Sequence, residues 1–75
     1  MYTGDIVIHI NEELDDNSIH DLEHLIGDEP GILSACAHER TRHLMVVDFD
    51  PAEVRPSGIV QSFRDHGYHA QMVGF

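Results

Sequence analysis

A chain of 75 residues makes one small domain, which buries only about 60% of its unfolded surface and so excludes a deep, walled active site. Fourteen acidic residues stand against four arginines and no lysine, for a formal net charge of -10. Phosphate binding needs clustered positive charge, so nucleic acid and anionic membrane surfaces are disfavoured as partners.

The acid excess suits a solvated surface, attraction of cations, a basic partner or a salt-adapted source. Cys36 is the single cysteine, which rules out an intramolecular disulfide and a thiolate pair within one chain. No charged-then-apolar leader pattern opens the sequence, and no apolar run approaches the roughly 20 residues needed to span a bilayer. A cytoplasmic protein without membrane insertion is the expectation.

Asp5 to Ile10 predicts a strand, with Ile6, Ile8 and Ile10 on one face and Val7 and His9 on the other. Asn11 to Asp16 is a polar, acidic loop whose one apolar residue, Leu14, suits a staple under the next helix. Asn17 or Ser18 can N-cap that helix, Ser18 with Asp21 fitting a hydroxyl-then-acid pattern. Ile19, Leu22, Leu25 and Ile26 recur at helical spacing as a buried stripe. Gly27, or the run Asp28-Glu29-Pro30-Gly31, stops the helix.

Ile32 to His38 predicts a second strand with a small-residue centre, Ser34-Ala35-Cys36-Ala37. A polar turn over Glu39-Arg40-Thr41-Arg42 leads into a third strand, His43 to Phe49, ended by Asp50-Pro51. Pro56 suits the first position of a second helix, with Ile59, Val60 and Phe63 as its apolar stripe and Gly67 as its stop. Tyr68 to Phe75 predicts a fourth strand. The order β-α-β-β-α-β, with right-handed crossovers, predicts an α+β ferredoxin-like sandwich: a four-stranded antiparallel sheet with two helices on one face, over residues 1–75.

Pro30-Gly31-Ile32, the strand end Val47-Asp48-Phe49-Asp50-Pro51, then Val54 and Ile59, and finally Gly67-Tyr68-His69-Ala70 resemble, in order and spacing, the heavy-metal-associated domain family. That family includes bacterial copper chaperones, mercury-binding proteins and the N-terminal domains of metal-exporting ATPases. The resemblance covers nearly the whole chain and implies the same sandwich, metal binding, and a protein partner or metal-transport component. Counting back from Pro30-Gly31 places the family's Cys-x-x-Cys on Asp15-Asp16-Asn17-Ser18, and Glu13 stands at the preceding methionine. Soft thiolates select Cu(I), so the family's copper(I) transfer has no ligands here. Asp28-Glu29-Pro30-Gly31-Ile32-Leu33 is also similar to the acid-x-Pro-Gly turn of amino-acid-sensing regulatory domains. In those domains the turn opens helix one, whereas here it follows it.

Asp15 and Asp16 are hard oxygen ligands, and with histidine they suit Zn, Co or Ni better than Cu(I). The family fold implies that the loop around His66 lies beside the first loop, so Asp15, Asp16, His20 and His66 form the candidate metal site. The bland alternative is a solvated acidic loop that caps a helix. His20 and His24 share a helix face at two-histidine metal spacing, or are two surface histidines. If Ala35 and Ala37 face the helices, Cys36 faces the open side of the sheet, beside His9 or Val46. There it is a metal or cross-chain contact, or a small apolar strand residue.

Val7, His9, Cys36, Leu44 and Val46, with Val73, make that open face more apolar than solvation requires, and so a candidate interaction surface. Tyr68 stands where bacterial relatives place a tyrosine near the metal, or packs against the sheet edge. No nucleophile, base and orienting group line up, so no enzyme activity is expected. The expected function is a metal-associated domain with a degenerate loop that binds or carries a divalent metal. The alternative is a metal-free interaction or regulatory module using the open sheet face, as a monomer or weak homodimer.

Overall fold

The computed structural model describes residues 4–37 and 43–73. The strand β1 spans Gly4–Ile10, the helix α1 Asp16–Gly27, β2 Ile32–Ala37, β3 Leu44–Phe49, α2 Pro56–Asp65 and β4 Ala70–Met72. The strands form one sheet in the order β2-β3-β1-β4, every pair antiparallel. This is the ferredoxin-like βαββαβ topology expected from the element order. The polar turn Glu39–Arg42, the strand end His38, and Gly74 and Phe75 lie outside the described residues.

Strand alternation drives the layering, because successive side chains leave opposite faces of a strand. Ile6, Ile8 and Ile10 of β1, and Met45, Val47 and Phe49 of β3, are buried on one face. Leu22 and Ile26 of α1, and Ile59, Val60 and Phe63 of α2, complete the same cluster. Both helices therefore cover one face of the sheet and leave the other open. Each fully buried Ile, Leu or Phe contributes about 1.5–3 kcal/mol of transfer free energy. Among the described residues no polar side chain is buried in this core, so that gain is not offset there by desolvated polar groups.

Several expectations shift in detail. The N-cap of α1 is Asp15, not Asn17 or Ser18: its Oδ1 accepts from Ser18 N at 2.7 Å, and the helix begins one residue later. Asp and Ser are both good caps, and here the earlier one is used. Leu25 is 46% exposed and leaves the stripe, which is Leu22 and Ile26 with Ile19 and Leu14 at its margin. Gly27 stays helical, and the chain reverses at Gly31 with φ +85.

β3 starts at Leu44, with His43 in the turn, and β4 is only three residues long. Tyr68 packs against the core instead of entering the ladder, after Gly67 takes φ +92 to close α2. A register shift between Ile32 and Ser34 sets Ser34 opposite Asp48, and Ser34 Oγ donates to Asp48 Oδ2 at 2.9 Å. At the far end of β2 the Ala37 N–H donates across to Glu23 Oε2 of α1 at 2.8 Å.

Candidate functional site

The end of the sheet where β1 gives way to α1 and α2 gives way to β4 is built by pairing. Ile10 lies opposite Ala70, so the residues just beyond them meet. Asn11 N donates to His69 O at 2.9 Å. His69 N donates to Glu12 Oε1 at 2.8 Å, and His69 Nδ1 lies 2.5 Å from Glu12 Oε2. A carboxylate only accepts, so Nδ1 carries the proton. The side-chain bond from His69, reinforced by the backbone one, holds the Glu12 carboxyl below its ordinary value. These three bonds fasten the β1–α1 loop to the α2–β4 loop.

The four candidate ligands are not gathered here. Asp15 caps α1, and Asp16 opens its first turn, where the helix dipole favours an anion. His20 is exposed on α1 and meets His24 edge-to-face, ring centroids 4.6 Å apart. His66 Nε2 lies 3.8 Å from Glu29 Oε1. Glu29 follows the C-terminal end of the 12-residue α1, about 18 Å from its start. The ring of His66 is therefore engaged away from Asp15, Asp16 and His20. Among the described residues no three His, Cys, Asp or Glu side chains come together to hold a metal ion.

Beside the fastened loops lies an open cleft of about 540 Å³, lined by Asn11, Arg64, Gly67, Tyr68, His69, Ala70 and Gln71. Tyr68 is half-buried against the core, so it serves packing and the cleft wall at once. Glu12 and Arg64 carry no motif signal, and His69 enters only as the variable position of Gly67-Tyr68-His69-Ala70. The ladder brings Asn11 and His69 together, because the residue after β1 faces the residue before β4; the contact of Glu12, one residue further on, follows from no such count.

The open face of the sheet is ordered in three rows that run across the strands. Asp5 stands opposite Asp48, which pairs with Ser34. Val7 stands opposite Val46, which pairs with Cys36, and Val73 N donates to Val7 O on the other side. His9 stands opposite Leu44 and Gln71. Cys36 is exposed and neighbours Val46. It is not beside His9, because β3 lies between β2 and β1. His9 stacks on His43, ring centroids 5.9 Å apart, and His43 Nδ1 donates to Ile10 O at 2.8 Å. His9 Nδ1 is buried without a hydrogen-bond partner among the described residues.

No protein-family model matches the sequence, and neither does any curated protein. Solved structures do match. The copper-binding domain from HMA7, a P-type ATPase, superposes with a TM-score of 0.83 at 18% identity, covering 93% of each chain. Oxidized MerP from Ralstonia metallidurans CH34 gives 0.82 at 17% identity, covering 95% of this chain and 97% of its own. The apo copper chaperone of Enterococcus hirae gives 0.79 at 20% identity, covering 91% and 98%. At such identities the likeness is one of fold.

Proposed function

Because the chain folds as a heavy-metal-associated domain yet carries a single cysteine, we propose that it is a metal-handling domain that engages a divalent ion through carboxylate and imidazole groups. A Cu(I) thiolate pair is not available to it. Asp15, Asp16 and His20 at the head of α1 are the ligands of this reading, and His66 joins them by leaving Glu29. Oxygen and imidazole donors suit Zn, Co or Ni, while soft Cu(I) wants sulfur. A cytoplasmic carrier or sensor that meets a protein partner of a metal-transport system is the role that goes with it.

The observation that carries the reading is the fastening of the two loops. Asn11 and Glu12 hold His69, which keeps the α2–β4 loop within reach of the acidic helix start. The site is open and incomplete until the ion arrives, so binding is weak and coupled to a side-chain rearrangement. No three ligating groups are close in this structure, and the cost of moving His66 comes out of the affinity.

The test is titration with Zn, Ni, Co and, under reducing conditions, Cu(I), followed by amide shifts in NMR spectra. Shifts centred on residues 15–20 and 66–69 with a divalent ion support the reading. Silence with every metal at concentrations well above those of ordinary protein sites removes it.

A further inference from the structure

The helix α1 buries one side and leaves the other to solvent. Leu22 and Ile26 are fully buried. At about 100° per residue, His20 and His24 fall on the side directly opposite them, and both are exposed. The other described imidazoles are engaged elsewhere. His43 Nδ1 donates to Ile10 O, and its ring stacks on His9. His69 is held by Glu12 and His66 by Glu29. Among the described residues, the ring contact that His20 and His24 make is with each other, with centroids 4.6 Å apart and ring planes at 80°.

We infer that His20 and His24 form a two-imidazole site for a divalent first-row metal ion on the outer side of α1. The ring separation fits it. An imidazole nitrogen bonds such an ion at about 2.0–2.1 Å, which puts each ring centroid about 3.2 Å from the metal. Two rings at a right angle about one ion then stand about 4.5 Å apart, and two on opposite sides of it about 6.4 Å. The observed separation is that of neighbouring ligands. Side chains at i and i+4 on a helix start about 5–6 Å apart at Cβ. Rotation about side-chain bonds therefore turns one nitrogen of each ring to the ion, and the backbone stays where it is.

Imidazole suits Zn, Cu and Ni, and Cu(II) leads the general affinity order. A neighbouring pair with the remaining positions open also suits the tetragonal preference of Cu(II). No third His, Cys, Asp or Glu among the described residues joins the pair, so water completes the coordination and the ion exchanges readily. Asp21 and Asp28 stand three residues before and four after His24, and both are exposed. They border the pair and favour a cation there without ligating it. Gly27 adds no side chain, and a Cβ built on it meets nothing within 4 Å, which leaves the approach clear.

This site does not rest on the loop reading. His24 lies eight residues along α1 from Asp16, about 12 Å on and out of reach of the helix mouth. His66 takes no part in the pair. The two sites share His20, so one ion occupies one or the other.

The experiment is calorimetric titration of the intact chain with Cu(II), Ni(II) and Zn, together with imidazole proton spectra at substoichiometric Cu(II), which broadens the nearest resonances. Broadening confined to the His20 and His24 rings is expected. His20→Ala and His24→Ala each lower the association constant at least about tenfold, since groups that merely orient a metal ligand are already worth about 10–100-fold. Both variants put the best helix former at an exposed helical position, and circular dichroism checks the fold. The double variant His24→Ala with Leu25→His keeps the number of imidazoles at the wrong spacing, at a position already 46% exposed, and stays weak. His66→Ala leaves binding unchanged. Absence of binding overturns the inference, as does binding that survives His24→Ala or returns in the double variant. Loss of binding with His66→Ala overturns it too. That last result is the one the loop site requires, so the two readings fail separately.

Discussion

Two carboxylates at the mouth of α1 have separable jobs. Asp15 accepts from Ser18 N and closes one of the open donors of the first helical turn. Asp15→Ala is expected to lower stability by about 1 kcal/mol, and Asp15→Asn, which keeps an acceptor, by much less. Urea denaturation near neutral pH measures both. Glu12 belongs to the loop fastening. Its folded carboxyl lies below the ordinary value of 4.5 because His69 donates to it. A depressed carboxyl contributes stability that is fully present above the unfolded value and is lost as pH falls through the folded one. Acidification below about pH 4.5 should therefore destabilise the native chain more steeply than Glu12→Gln. Denaturation midpoints taken at several pH values between neutrality and pH 3 show the difference as diverging curves.

At the scale of elements, the turn from α1 to β2 is the tightest join. Gly31 has φ +85, and a Cβ there would stand 2.9 Å from Glu53 Cβ and 3.0 Å from Val54 Cγ1. Left-handed backbone alone costs an L-residue about 1–2 kcal/mol. Gly31→Ala is expected to cost about 2 kcal/mol or more, read from thermal or urea unfolding, while Gly27→Ala meets nothing within 4 Å and should be mild or stabilising. Element order and the buried faces of β1, β3 and α2 were legible from periodicity, because Ile, Val and Phe alternate there without competition. Boundaries were less so. Asp15, Asn17 and Ser18 are all competent caps, and periodicity cannot choose among them. The short β4 escaped because Tyr68 reads as a strand residue by type, yet its ring packs inward after the left-handed Gly67.

For the molecule as a whole, the charge of -10 is a standing repulsion. The Debye length shrinks from about 30 Å at 10 mM salt to about 3 Å at 1 M. The melting temperature should therefore rise across that range, as calorimetry at fixed pH would register. A flat or falling melting temperature would mean that local ion pairs outweigh the net repulsion. The candidate site shows how far a sequence carries at this scale. The acidic loop, its place after β1 and the lack of a second cysteine are all visible in the residues. The direction in which His66 points is not, because it depends on Glu29 sitting past the far end of α1. Side-chain convergence across elements is set by helix length and loop register together, and no single stretch of sequence contains both. The rows on the open face stand between these cases: each residue's face follows from alternation, but which rows coincide follows only from the pairing of the strands.

The bond from the Ala37 N–H to Glu23 has one more outcome. β2 is an outer strand, and an outward N–H at its end would recruit another chain's carbonyl and begin an intermolecular ladder. A helix carboxylate already occupies that donor. Deleting the Glu23 carboxylate would uncover it, so pairing of this edge with another chain is restrained at this corner by a single acid.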